Sequence, residues 1–194
     1  MDFTSTKIGF AITGSFCTFS KVIPEIKSLR ENGADIYPIM SNIAFSTDTR
    51  FGKAEDFITE VENITQKKIW HTIPEVEPIG PKKLLDLLII APCTGNTISK
   101  IANGITDSPV ALAAKSHMRN ARPVLIAVST NDGLGANSKN IGALLNTKNI
   151  FFVPFSQDDA YKKPTSLVAD MGKITAAAQS ALLGRQIQPL LCPV

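Results

Sequence analysis

Histidine occurs twice, tryptophan once and cysteine three times in 194 residues. Cys17, Cys93 and Cys192 are odd in number and widely spaced, and with His71 and His117 they give no metal-ligand spacing. No metal site is therefore expected, and a reduced, cytoplasmic setting is the simplest reading. Long apolar runs are also missing. The longest, Leu87 to Ala91 with Leu84 and Leu85 before it, falls far short of the about 20 residues that span a bilayer. Met1 to Lys7 lacks the basic start and apolar stretch of a signal peptide. Charge of one sign is scarce as well: Lys plus Arg number 20 and Asp plus Glu 17, a net +3. So small and dispersed an excess argues against a nucleic-acid groove while allowing a local anion site. Hydrophobic residues at 44% and charged ones at 19% are those of an ordinary folded chain, and the length suits one domain, 1–194.

What is present alternates short β runs with amphipathic stretches. Lys7 to Thr13, Asp35 to Met40, Leu85 to Ala91, Val124 to Val128 and Ile150 to Val153 read as strands. They are apolar at nearly every position, as parallel strands covered on both faces are. Between them, Val22, Ile23, Ile26 and Leu29 recur at helical spacing, with Pro24 in the first turn or at a kink. Lys53 to Thr65, Thr97 to Asn103, Ser108 to Asn120 and the stretch around Ile141, Leu144 and Leu145 are further helices. Lys68 to Thr72 reads as a short edge strand, Pro74 to Pro81 as a loop, and Thr165 to Leu183 as a long C-terminal helix closed by Gly184. The order implies an α/β fold: a three-layer, doubly wound, Rossmann-like and mostly parallel sheet in a single domain.

In such a sheet ligands bind beyond the carboxyl ends of the strands. Four of those ends carry Ser, Thr, Asn and Gly: Gly14-Ser15-Phe16 after the first strand, Ser41 after the second, Cys93-Thr94-Gly95-Asn96-Thr97 after the central one, and Ser129-Thr130-Asn131 after the next. Singly, each cluster is a turn or helix cap. Together on one edge they point to an anion or nucleotide pocket built from amides and hydroxyls. It is not a Gly-x-Gly-x-x-Gly dinucleotide loop, since only Gly14 is glycine there, and no Gly-Lys-Ser/Thr phosphate loop exists. Cys17 and Cys93 both stand on this edge. His71, beside Trp70, is a structural donor or a base, and Lys162-Lys163-Pro164 a solvated turn or a grip on a carboxylate.

The run Ala91-Pro92-Cys93-Thr94-Gly95-Asn96-Thr97 and its continuation through Asn103-Gly104 to Asp107-Ser108 resembles the flavoprotein superfamily of flavin-dependent cysteine decarboxylases and flavin prenyltransferases. The resemblance runs from about Ile8 to Val153 and implies a flavoprotein-type fold whose strand-end loops hold FMN. It also implies trimers, or multiples of them, with the cofactor at subunit contacts. Two chemical groups of those relatives are missing: no His stands near Pro78, and no Arg near Ser129. Asn96 is then the one catalytic candidate, with Asn131 beside it in role.

Pro78-Ile79-Gly80-Pro81-Lys82, Asp107-Ser108-Pro109-Val110, Ser129-Thr130-Asn131-Asp132, Lys148-Asn149-Ile150 and Pro154-Phe155-Ser156-Gln157-Asp158 are similar to one branch of that family. Its members act with a separate nucleotide-binding subunit, on which NAD(P) is expected. The pair oxidises dihydrodipicolinate, or its hydroxytetrahydro precursor, to pyridine-2,6-dicarboxylate in the mother cell of a sporulating bacterium. The resemblance thus implies an oxidoreductase subunit. A flavin decarboxylase or prenyltransferase, and a non-catalytic scaffold for the partner, are the alternatives.

Overall fold

The computed structural model describes residues 2–192, so residues 1, 193 and 194 of the expected 1–194 unit lie outside the described residues. Strand β1 (Lys7–Ile12) leads through a 3-10 turn at Phe16–Thr18 into helix α1 (Phe19–Glu31), and then into β2 (Asp35–Met40). Gly33 joins α1 to β2 at φ +94°, where a Cβ would press on the Thr4 backbone at 3.1 Å. Pro24 lies inside α1 rather than in its first turn.

After β2 come α2 (Asn42–Ser46), α3 (Ala54–Thr65) and α4 (Ile73–Val76), the last continued by a 3-10 turn at Glu77–Ile79. The segment expected as a loop is therefore helical at its start. Pro74 sits in the first turn of α4, where its missing N–H has no partner to lose. The expected edge strand is a lone bridge between Ile39 and Trp70.

The central strand β3 (Leu87–Cys93) is buried at all seven positions. It is followed by α5 (Gly95–Ala102) and α6 (Pro109–Met118). Then come β4 (Val124–Thr130), α7 (Ser138–Leu145), β5 (Ile150–Phe152), β6 (Phe155–Asp159), β7 (Lys163–Ala169) and α8 (Ile174–Leu182). The C-terminal helix was expected from Thr165; instead Lys163–Ala169 is a strand, and the helix begins only at Ile174. Pro164 reads equally well as a helix start, but Thr165, Leu167 and Val168 favour the extended chain once a partner strand is there to pack on.

Among the described residues, seven strands form one sheet in the order β2-β1-β3-β4-β7-β6, with β5 also on β4. β1 through β5 pair in parallel. The outer edge of β4 is shared in series: Val124 to Ile126 pair with β5, while Ser129 and Thr130 pair antiparallel with β7. β6 and β7 thus form a hairpin standing at the carboxyl edge of the sheet. α1, α3 and α8 pack together, and α4 to α7 form a second group. The crossovers leave β1 and β3 in opposite directions, which puts their helices on opposite faces when both are right-handed. No described helix is long and apolar enough to cross a membrane.

One histidine lies deep in this core. His117 on α6 is 1% exposed, and its Nε2 has no hydrogen-bond partner among the described residues. Burial lowers its pKa from 6.5 to about 4. Between those values the unfolded chain binds a proton that the folded chain refuses, so stability falls as pH drops through the interval. The full shift corresponds to ~3 kcal/mol. Denaturant midpoints measured from pH 7 down to 4.5 are expected to fall less steeply for His117→Leu than for the wild type; parallel slopes would contradict this.

Candidate functional site

Strand order reverses between β1 and β3, so the crevice beyond their carboxyl ends is the expected place for a ligand. The two ends are joined through Thr13, whose amide donates to the Pro92 carbonyl at 3.3 Å and whose hydroxyl makes two further bonds. Thr13 Oγ1 donates to the Pro92 carbonyl at 2.7 Å and accepts from the Thr94 amide at 3.0 Å, in a side chain only 1% exposed. This link fixes where the Gly14 loop and the Thr94 loop stand relative to each other.

Two clefts open from this point, and both are lined by Gly14 and Thr94. The one on the β2 side has a volume of about 420 Å³ and takes Ser41, Asn96 and Thr97, with Lys100, Asp107 and Ser108 on its far wall. The one on the β4 side, about 380 Å³, takes Ser15, Phe16, Gly95, Ser129, Thr130 and Asn131. Both are within the size of small-molecule sites. A larger depression of about 730 Å³ lies elsewhere, between α1 and α3 among Lys27, Arg30, Asp56 and Glu60. Its lining is a solvated row of mixed charges away from every strand end, and we do not assign it to the site.

The β2-side cleft gathers groups of positive character. Thr94 caps α5, its hydroxyl accepting from the Thr97 amide at 3.4 Å, which leaves the first amides of that helix without an intrahelical acceptor. α6 begins at Pro109, and the Ser108 side chain makes no capping bond. Two helix N-termini therefore face one cavity, each with partial positive charge. Lys100 adds a cation, tied to Asp107 at 2.7 Å. The Ser41 hydroxyl is partly committed, accepting from the Ala44 amide at 3.3 Å.

The β4-side cleft is held by hydroxyls and amides. Ser15 Oγ and Ser129 Oγ lie 2.7 Å apart, joining the ends of β1 and β4 across β3. Asp132 accepts from the Thr130 hydroxyl and from Asn137 Nδ2, the latter at 2.8 Å. Asn137 in turn accepts from Asn140 at 2.9 Å. This chain explains Gly95: a Cβ there would lie 2.5 Å from Thr130 Oγ1 and 2.6 Å from Asn137 Nδ2. The hairpin supplies the outer wall with Asp158, Lys163, Ser166 and Leu167, and Phe51 closes the rim.

Eleven of the twelve sequence-derived cofactor candidates line one cleft or the other. Cys93 is the correction. Its thiol is fully buried and lines neither cleft, because as the last residue of β3 it turns into the core. Burial pushes that thiol far above the ordinary cysteine range, so it carries no reactive thiolate. Asn96 and Asn131, expected to act alike, lie in different clefts. His71 lines neither; it stacks on Phe45 with ring centroids 3.7 Å apart, beside Glu75. Lys162 is also outside, while Lys163 is inside. Apart from Lys163, the hairpin residues of the β4-side cleft were missed, with Ser166, Leu167 and Val168 hidden by the helix expected over Thr165 to Leu183.

A family profile described as Flavoprotein matches residues 2–184, and the chain belongs to that family. Within it, the chain is 47% identical to the B-subunit of dipicolinate synthase from Bacillus subtilis strain 168 over 185 residues, which cover 95% of this chain and 92% of the relative. A crystal structure of the corresponding dipicolinate synthase chain from Bacillus halodurans C is 44% identical, with a TM-score of 0.92 over 100% of this chain and 99% of that one. The FMN-dependent cysteine decarboxylase SpaF shares the fold at 17% identity, with a TM-score of 0.68 over 94% of this chain and 98% of its own.

Two outcomes follow from the geometry. Thr13→Val, which keeps the shape and removes the hydroxyl, is expected to cost about 1–3 kcal/mol in chemical denaturation, with Thr13→Ser largely restoring it; equal stability of wild type and Thr13→Val would overturn the linking role. In alkylation followed by mass spectrometry, exposed Cys17 should react in the folded chain and Cys93 only after denaturation. Equal labelling of both thiols in the folded state is the contrary result.

Proposed function

We propose that this chain is the substrate-holding subunit of a two-subunit dipicolinate synthase. Acting with a nucleotide-binding partner, it oxidises dihydrodipicolinate or its hydroxytetrahydro precursor to pyridine-2,6-dicarboxylate. The observation that carries the reading is the pair of clefts meeting at Gly14 and Thr94, one suited to a phosphate and the other to a small ring compound. Similarity to the two dipicolinate synthase chains over nearly the whole length supports the choice of reaction.

The donor set fits FMN. In this reading the α5 and α6 N-termini, Ser41, Asn96 and Thr97 hold its phosphate, and Gly14, Ser15, Phe16 and Thr94 border its ring. Bound there, FMN supplies a two-electron acceptor; NAD(P) on the nucleotide-binding partner is the other acceptor the reaction can use. The chain's own residues orient and enclose. Ser129, Thr130 and Asn131 offer hydroxyl and amide donors to a substrate carboxylate, and Asn96, in the adjoining β2-side cleft, orients the flavin through its phosphate end. Removal of a hydride and a proton from a dihydropyridine is driven by aromatisation, so orientation of the ring is the main task left to the protein. We further propose an assembly of trimers or their multiples, within the mother cell.

An FMN-dependent decarboxylase is the second reading, favoured by the shared fold of SpaF. Neither cleft is lined by a histidine or an arginine, the two groups that the resemblance leads one to expect in decarboxylases and prenyltransferases. Mixing both purified proteins with the dihydro substrate and NADP, and following pyridine-2,6-dicarboxylate formation, tests the first reading. The pair should be active and either protein by itself much less so, with Asn96→Ala lowering kcat/KM of the pair about 10- to 100-fold. A nucleotide-binding partner that matches the pair by itself would refute the reading, and an unaffected Asn96→Ala pair would leave this chain a scaffold.

A further inference from the structure

The hairpin that the sequence conceals brings two charges into the β4-side cleft. β6 and β7 pair in register from Phe155 to Gln157, then shift before Asp159 meets Lys163. Such an irregularity re-aims side chains. Here Asp158 and Lys163 both line the cleft, joined by an ion pair of 2.7 Å. Lys163 is the single cation among the residues that line this cleft, and its side chain is 56% exposed. Facing it are the Ser15–Ser129 hydroxyl pair and the Asn131 side chain, while Phe16 and Phe51 supply flat apolar surface.

We infer that Lys163 is the specificity-determining residue of this cleft: it takes a carboxylate of a planar, ring-shaped ligand, and Asp158 holds it in place until that carboxylate arrives. The inference rests on the proposed dipicolinate chemistry only for the choice of ring. The pairing with Asp158 is the counterpart of the ligand's own anion, a carboxylate answering to a carboxylate. Asp158 also raises the Lys163 pKa, chiefly through their hydrogen bond, which further secures the charge that a lysine ammonium already carries at neutral pH. A phosphate is better served by the neighbouring cleft, where two helix N-termini converge. Lys162 carries the same charge one residue away but lines neither cleft; its amide donates to Asp159 at 2.9 Å. It is therefore the internal control.

Binding is measured on the purified full chain by calorimetric titration with pyridine-2,6-dicarboxylate, and independently by protection of Cys17, which lines the same cleft, from carboxamidomethylation. Lys163→Ala is expected to weaken binding and protection at least about 10-fold, Lys163→Arg to retain most of both, and Lys162→Ala to change neither. Asp158→Asn, which removes the competing anion, should tighten binding. Wild-type binding that Lys163→Ala and Lys162→Ala reduce equally overturns the inference and leaves the synthase reading untouched. If pyridine-2,6-dicarboxylate fails but benzoate or nicotinate protects Cys17 in a Lys163-dependent manner, the inference stands and the synthase reading falls. No Lys163-dependent protection by any of the three refutes the inference.

Discussion

One buried residue, Thr13, ties together the two loops on which the site is built, extending the β1–β3 pairing beyond the strands by its amide and its hydroxyl. Thr13 ties the Pro92 carbonyl to the Thr94 amide, so the loops after β1 and β3 are held at one distance. From that fixed pair the rest extends outward: Thr94 caps α5 on one side, and Ser15 reaches Ser129 on the other. Both clefts share residues from the tied loops. A shift at this link moves the walls of both together, which is why one buried side chain has such reach.

The second constraint is geometric. β4 is longer than its parallel partner β5, which covers only Val124 to Ile126. The carboxyl half of β4 would otherwise present unpaired amides and carbonyls at a sheet edge. The antiparallel pairing with β7 satisfies Ser129 and Thr130 and delivers Ser166, Lys163 and Asp158 to the cleft. Fold completion and site construction are here the same event. The Asp132, Asn137 and Asn140 chain behind Gly95 stiffens the loop between β4 and α7, leaving the hydroxyl donors preset rather than recruited.

Most of the parallel core was legible because its strands are almost wholly apolar. Leu87 to Ala91 could only be a strand buried on both faces, and the small polar residues after it could only be a cap or a site. Three features were not legible. Whether the Cys93 thiol faces the cleft or the core depends on the pleat at the very end of β3, which composition does not encode. The hairpin was hidden because Ala-rich sequence with a preceding proline satisfies helix rules locally. Its extended form is imposed by the unfilled edge of β4, a tertiary demand that overrides local preference. The division of one expected pocket into two was likewise invisible, since Asn96 and Asn131 differ in surroundings and not in chemistry.

In the proposed function the β2-side cleft, where the α5 and α6 N-termini meet Ser41, forms a flavin phosphate site in this chain. Titration of FMN with the freshly purified protein, followed by quenching of flavin fluorescence, tests it most directly. Saturable quenching at one FMN per chain is expected, reversed by competition with excess inorganic phosphate. A correctly folded chain that leaves FMN fluorescence unchanged at every protein concentration reached would contradict it.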